Sequence, residues 1–201
     1  GITGRGDLRE RFLRLREAIL GANEVRYGLL PQGDFSSLLD GVIEAALART
    51  ADILGIPRTD PSTDTINRIY AVRQVCWDRI FPEGAAPSPL EQSLRDLSAG
   101  EAWHASRHME LADFSWYFHN PPAEPLTLEA AVEYAQNLYD FANRSRGGAF
   151  SGRRNIPPGE VRIVAGEPLN LSDMLAPGGP GRKALIAEAN AWLLGAFGKL
   201  R

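Results

Sequence analysis

With 201 residues, 44% of them hydrophobic and 23% charged, the chain has ordinary globular composition and enough length for a core without covalent staples. A formal net charge of −3 excludes the overall electrostatic attraction on which nucleic-acid binding depends. Cys76, the one cysteine, excludes an internal disulfide and a zinc cluster and fits a reducing compartment; no apolar run approaches the ~20 residues of a membrane span.

In chain order, Asp7 caps a first helix running to about Ala22, with Leu8, Phe12, Leu15 and Ile19 at helical spacing. A loop over 28–33 follows. Asp34 or Ser36 opens a second helix, carried by Leu38, Leu39, Val42, Ile43, Ala46, Leu47 and Leu54 and ended by Gly55 and Pro57. Thr63 or Asp64 caps a third, holding Ile66, Ile69, Tyr70, Val75, Cys76, Trp77 and Ile80. Residues 82–89 form a Pro/Gly linker. A long fourth helix spans about Pro89 to Phe118, stopped by Pro121 and Pro122. Thr127 caps a fifth, which holds Ala131, Tyr134, Ala135, Leu138 and Phe141 and decays at Gly147 and Gly148. A Gly/Arg/Pro loop covers 147–159, Val161 to Val164 has strand character, and Leu169 to Leu171 is its candidate partner. A last helix runs from Arg182 to about Phe197. The expected fold is therefore mainly α: one helical domain over 1–201, about six helices in a bundle, with one short strand pair near the C-terminus. Its first residue is Gly1, so the chain reads as a fragment of something longer.

The fourth helix carries the most chemistry. Leu90, Leu94, Leu97, Glu101, His104, His108, Leu111, Ser115 and Phe118 share a 3–4 spacing. Glu101, His104 and His108 thus interrupt an apolar stripe and are expected to form a buried, hydrogen-bonded polar cluster. Glu101-x-x-His104 is half of a di-metal carboxylate set, but a second Glu-x-x-His pair is missing, so no metal and no cofactor is assigned. His108 and Asp113 have the spacing of a catalytic base and its orienting carboxylate. On a continuous helix that separation turns the side chains about 140° apart, so the pair cannot hydrogen-bond. No catalytic residue is assigned beyond these two candidates.

Arg144, Arg146, Gly147 and Gly148, followed by Arg153 and Arg154, make the candidate anion site. Guanidinium forks and side-chain-free backbone together suit phosphate or carboxylate. Trp116, Tyr117 and Phe118 read as core packing, and Phe81-Pro82-Glu83-Gly84 as a helix end.

Several segments together resemble the C-terminal part of bacterial, cyanobacterial-type lysophosphatidate acyltransferases. They are Asn67-Arg68 to Trp77 through Phe81-Pro82-Glu83, Arg107-His108-Met109-Glu110-Leu111, Gln136-Asn137-Leu138, Gly147-Gly148 to Gly152-Arg153, and Val161 to Val164 with Gly166-Glu167-Pro168. The likeness is patchy over roughly residues 60–200. The family's catalytic His-x4-Asp lies upstream of these segments, so no catalytic residue is carried over. The resemblance implies an accessory helical region of a glycerolipid acyltransferase, with acyl-CoA or acyl carrier protein and an anionic glycerolipid as partners. It also implies a cytoplasmic location with peripheral contact at the inner face of a membrane. The residues alone equally fit a stand-alone helical protein-binding or adaptor module without catalytic activity.

Overall fold

The computed structural model describes residues 7–86, 88–148, 170 and 182–199. The chain is mainly α. Among the described residues the elements are α1 (Leu8–Tyr27), α2 (Phe35–Leu54), α3 (Thr65–Ile80), α4 (Pro89–Trp116), a 3-10 turn (Tyr117–His119), α5 (Leu128–Ser145) and α6 (Arg182–Lys199). Of the segments expected to form the strand pair, 161–164, 169 and 171 lie outside the described residues, as do Arg153 and Arg154 of the expected anion loop. The chain divides into two compact units, Gly1–Asn155 and Ile156–Arg201, where the sequence reads as one domain. Helices α1 to α5 build the first unit and α6 belongs to the second.

Local chemistry sets the helix ends. Asp34, Asp64, Ser88 and Thr127 each accept a hydrogen bond from the backbone N–H three residues on, at 2.9, 3.3, 3.2 and 3.2 Å. These bonds satisfy donors that the helix itself leaves orphaned. At the other end, α5 closes with Gly147 at φ 82°. Gly147 N–H donates to the Arg144 carbonyl at 2.9 Å and Gly148 N–H to the Asn143 carbonyl at 2.8 Å, the paired bonds of a Schellman motif. A left-handed residue is needed there, which is why the helix stops at a glycine. Helix α1 runs one turn beyond the expected Ala22, to Tyr27, because the corresponding left-handed residue is Gly28.

Helix α2 is the centre of the first unit. Leu39, Val42, Ile43, Ala46, Leu47, Ala51 and Leu54 are all nearly inaccessible. It packs against α4, α1 and α3, while α5 closes on α1 and α4. Helix α4 buries several small residues, among them Ala102, Ala105, Ser106 and Ala112. Thr50 Oγ1 lies 2.8 Å from the Ala46 carbonyl and 3.4 Å from the Ala105 carbonyl across the interface.

Buried polar groups are tied across helices. Arg16 lies 3.7 Å above the Phe35 ring and donates to the Phe118 carbonyl at 3.0 Å. Arg16 therefore takes a core position where Leu15, 36% exposed, was expected. Arg68 grips Glu44 with both nitrogens, at 2.5 and 2.6 Å, and donates to Thr59 Oγ1 at 3.0 Å. This two-pronged contact fixes α3 to α2 and raises the Arg68 pKa above its usual value. Asn23 on α1 donates to Ser145 Oγ at the end of α5, 2.8 Å away. No helix among the described residues is long and apolar enough to cross a membrane.

Candidate functional site

The expected polar cluster does not form a buried network. Glu101 and His104 are exposed and His108 is half-buried. Leu90, Leu94 and Leu97, on the same stripe, are exposed as well, at 71, 58 and 63%. No residue of α4 from 89 to 101 is buried; burial begins at Ala102 and continues through Ala105, Ser106 and Met109. The leucine stripe enters the core only from Leu111 onward, where Leu111, Ser115 and Phe118 are buried.

His108 sits where that stripe meets α1. The Tyr27 hydroxyl and His108 Nδ1 share a hydrogen bond at 2.9 Å, the imidazole tautomer setting which of them donates. Burial, then the neighbouring His104, Arg26 and Arg49, hold the imidazole pKa down to about 4. Burial likewise pushes the Tyr27 phenol up to about 12, so it stays protonated. Asp113 is engaged elsewhere, 2.5 Å from Arg73 of α3. His108 and Asp113 are therefore not brought together as a base and its orienting carboxylate.

The expected anion loop also divides. Arg144 is not a loop arginine: its side chain is 2% exposed, with Nη2 2.7 Å from Glu110 Oε2 on α4 and Nη1 donating to the Gly148 carbonyl at 2.6 Å. Burial with a carboxylate removes it from the surface set. Arg146 and Gly147 are exposed and Gly148 is half-buried. Of the aromatic run, Phe118 is core, at 1% exposure, while Trp116 and Tyr117 face solvent at 38 and 53%.

What the structure does assemble is a cleft of about 420 Å³ between α3 and α4. It is lined by Arg73, Cys76, Trp77, Ile80 and Phe81 on one side and by Trp103, Ser106, Met109, Glu110 and Asp113 on the other. The volume falls in the range of small-molecule sites, roughly 300–1,000 Å³. Its rim is aromatic: Trp77 and Phe81 pack together with ring centroids 4.5 Å apart, and the Arg107 guanidinium lies 4.4 Å from the Trp103 centroid. Trp77, Phe81 and Trp103 are 60, 56 and 56% exposed. So much aromatic surface around one depression is a feature of recognition sites more than of bare surface.

The charged wall is a network of arginines and carboxylates. Besides Arg144 at 2.7 Å, Arg107 approaches Glu110 at 3.9 Å, and Asp113 is paired with Arg73. Glu110 Oε2 is shielded from solvent and accepts no aligned hydrogen bond, so its arginine contacts are Coulombic. Burial is then the largest influence on that carboxyl, pushing its pKa up to about 7 against the pull of Arg107 and Arg73. Burial also raises the Cys76 thiol to about 11, which leaves it protonated and non-nucleophilic near neutral pH. Ser106 Oγ donates to the Trp103 carbonyl at 2.8 Å and so is engaged within its own helix.

Sequence reasoning placed Trp77 in the apolar set of α3 and left Arg73, Trp103 and Glu110 unassigned. The signal was present as two mixed stripes at helical spacing: Arg73, Trp77 and Ile80 on α3, and Trp103, Arg107 and Glu110 on α4. Neither stripe has meaning until the two helices are set side by side. Compared with protein-family models, with curated proteins and with solved structures, the chain matches none of them.

Proposed function

We propose that the helical unit Gly1–Asn155 is a binding module that works through the α3–α4 cleft. One observation carries this reading. The cleft is open and aromatic-rimmed, yet its polar groups are engaged with one another or with the backbone, and no activated nucleophile sits beside a base. Such a site can hold and orient a ligand without transforming it.

The accessory role in glycerolipid acyl transfer is a second reading, favoured by one specific feature. Two of the segments that resemble the acyltransferases, Asn67 to Glu83 and Arg107 to Leu111, supply much of the cleft lining. In that role the unit would hold a lipid or acyl-carrying partner for a catalytic domain elsewhere.

The binding reading is tested with Nile red, a neutral dye that brightens on entering apolar sites. The intact chain is expected to bind it saturably with one site per unit. Replacing both Trp77 and Trp103 with Ala should weaken binding by about ten-fold or more, as truncation of aromatic anchors does. Both side chains are more than half exposed, so thermal stability should change by no more than about 0.5 kcal/mol per site. Undiminished binding in the double variant would remove the cleft from consideration.

A further inference from the structure

We infer that the α3–α4 cleft recognises a small ligand with a flat aromatic body and a single anionic group. The inference rests on the reading of the cleft as a binding site and adds the chemical class of its occupant.

The charge of the ligand follows from the wall. The lining carries Arg73, Glu110 and Asp113; Arg107 and Arg144 contact Glu110 from outside it, so in the network as a whole three guanidinium groups serve two carboxylates. Of the three, Arg144 is sealed in the core at 2% side-chain exposure, whereas Arg73 is 38% exposed and lies on the lining of the cleft. Arg73 is thus the cation an incoming anion meets, and a planar fork can serve Asp113 and a ligand carboxylate together. A cationic ligand finds the opposite situation. Both carboxylates are already in contact with arginines, and one face of Trp103, which would otherwise attract a cation, is covered by Arg107.

The aromatic body follows from the rim and the floor. Trp77, Phe81 and Trp103 offer ring faces and edges, and Met109 offers a polarisable thioether beneath them. Offset ring contacts add to plain apolar burial, and sulfur–ring contacts do the same. An aliphatic chain of equal size would gain the burial and forgo the ring contacts.

Glu110 links this recognition to pH. The groups facing it are Arg73 and the Cys76 thiol on α3, Arg107 and Asp113 on its own helix, and Arg144 from α5. When Glu110 takes up a proton the arginines lose a counter-charge, and the attraction for an anionic group increases.

Calorimetric titration of the full chain at fixed ionic strength tests this with four probes: 2-naphthoate, 2-naphthylmethylammonium, 2-naphthalenemethanol and decanoate. The expected result is that 2-naphthoate binds about ten-fold or more tighter than the cation and the alcohol, as one charge-assisted contact provides. Arg73→Gln should bring 2-naphthoate down to the level of the alcohol and leave the alcohol unchanged, while Arg146→Ala should alter nothing. Affinity for 2-naphthoate should rise as pH falls from about 8 to about 6, across the titration of the raised Glu110 carboxyl. Equal or tighter binding of the cation overturns the charge assignment. Decanoate matching or exceeding 2-naphthoate overturns the aromatic assignment while the binding module stands. If none of the four binds, both the ligand class and the binding reading fall.

Discussion

Phe118→Ala is expected to lower the unfolding free energy by about 3–5 kcal/mol, the cost of emptying a large aromatic site in a packed interior. Phe118 is 1% exposed. Its ring stacks on Phe141 with centroids 5.2 Å apart and meets Tyr134 edge-on at 5.6 Å. It sits on the short turn after α4 and so ties that helix to α5. Its carbonyl is also the acceptor for buried Arg16. A shift of the turn would therefore disturb a buried guanidinium. Urea unfolding followed by circular dichroism measures the loss, with the midpoint falling and the slope unchanged. The neighbouring Tyr117→Ala, at a 53% exposed site, should stay within about 0.5 kcal/mol. A loss below about 1 kcal/mol for Phe118→Ala would mean that this aromatic junction is not part of the core.

The second large effect is expected at Arg144. Arg144→Leu keeps much of the apolar volume and removes the guanidinium that faces Glu110 at 2.7 Å. Breaking such a pair from one side leaves a carboxylate out of water without its counter-charge, at a cost of about 3 kcal/mol. That cost depends on pH in a definite direction. The Glu110 carboxyl is already raised by burial to about 7 in the folded chain. Without Arg144 it rises further, so over a wider range the folded state binds a proton that the unfolded state does not. Stability then falls as pH increases through that range. The destabilisation by Arg144→Leu should accordingly be small near pH 6, where the carboxyl is neutral, and reach its full size near pH 8.5. Thermal or urea unfolding of both proteins across this range gives the answer. A difference that does not vary with pH would show that Arg144 contributes through packing and its bond to the Gly148 carbonyl rather than through Glu110.

The helices were legible in the sequence because their determinants are local. Asp34, Asp64, Thr127 and the glycines at 55 and 147 act on their own turns, and apolar spacing in α2 needs no knowledge of its neighbours. The face of α4 was not legible, and the reason is physical. Leucine spacing identifies the face that would gain most from burial, yet no residue of α4 from 89 to 101 is buried, and Leu94 and Leu97 stay exposed. Burial begins at Ala102 and Ala105, whose small side chains suit the close contact that Thr50 of α2 makes with the Ala105 carbonyl. The same limit applies to charge. Arg144 lies beside a glycine-rich segment and looks like a surface arginine until α4 places Glu110 against it. Arg16 is similar: a cation inside α1 becomes a core residue because a ring from α2 and a carbonyl after α4 receive it. The cleft was the least legible feature, since Arg73 and Glu110 are separated by the second half of α3, the connecting segment and most of α4.

The four tryptophans of the chain, Trp77, Trp103, Trp116 and Trp192, provide the most direct measurement of where binding occurs. Each indole N–H gives its own NMR resonance, assigned by replacing one tryptophan at a time with Phe. Titration with 2-naphthoate, and separately with 2-naphthalenemethanol, is expected to shift the Trp77 and Trp103 signals saturably. The signals of Trp116, at the end of α4, and Trp192, in α6, should stay in place. Shifts confined to Trp116 or Trp192, or four unmoved signals with both probes, would contradict the assignment of binding to the α3–α4 cleft.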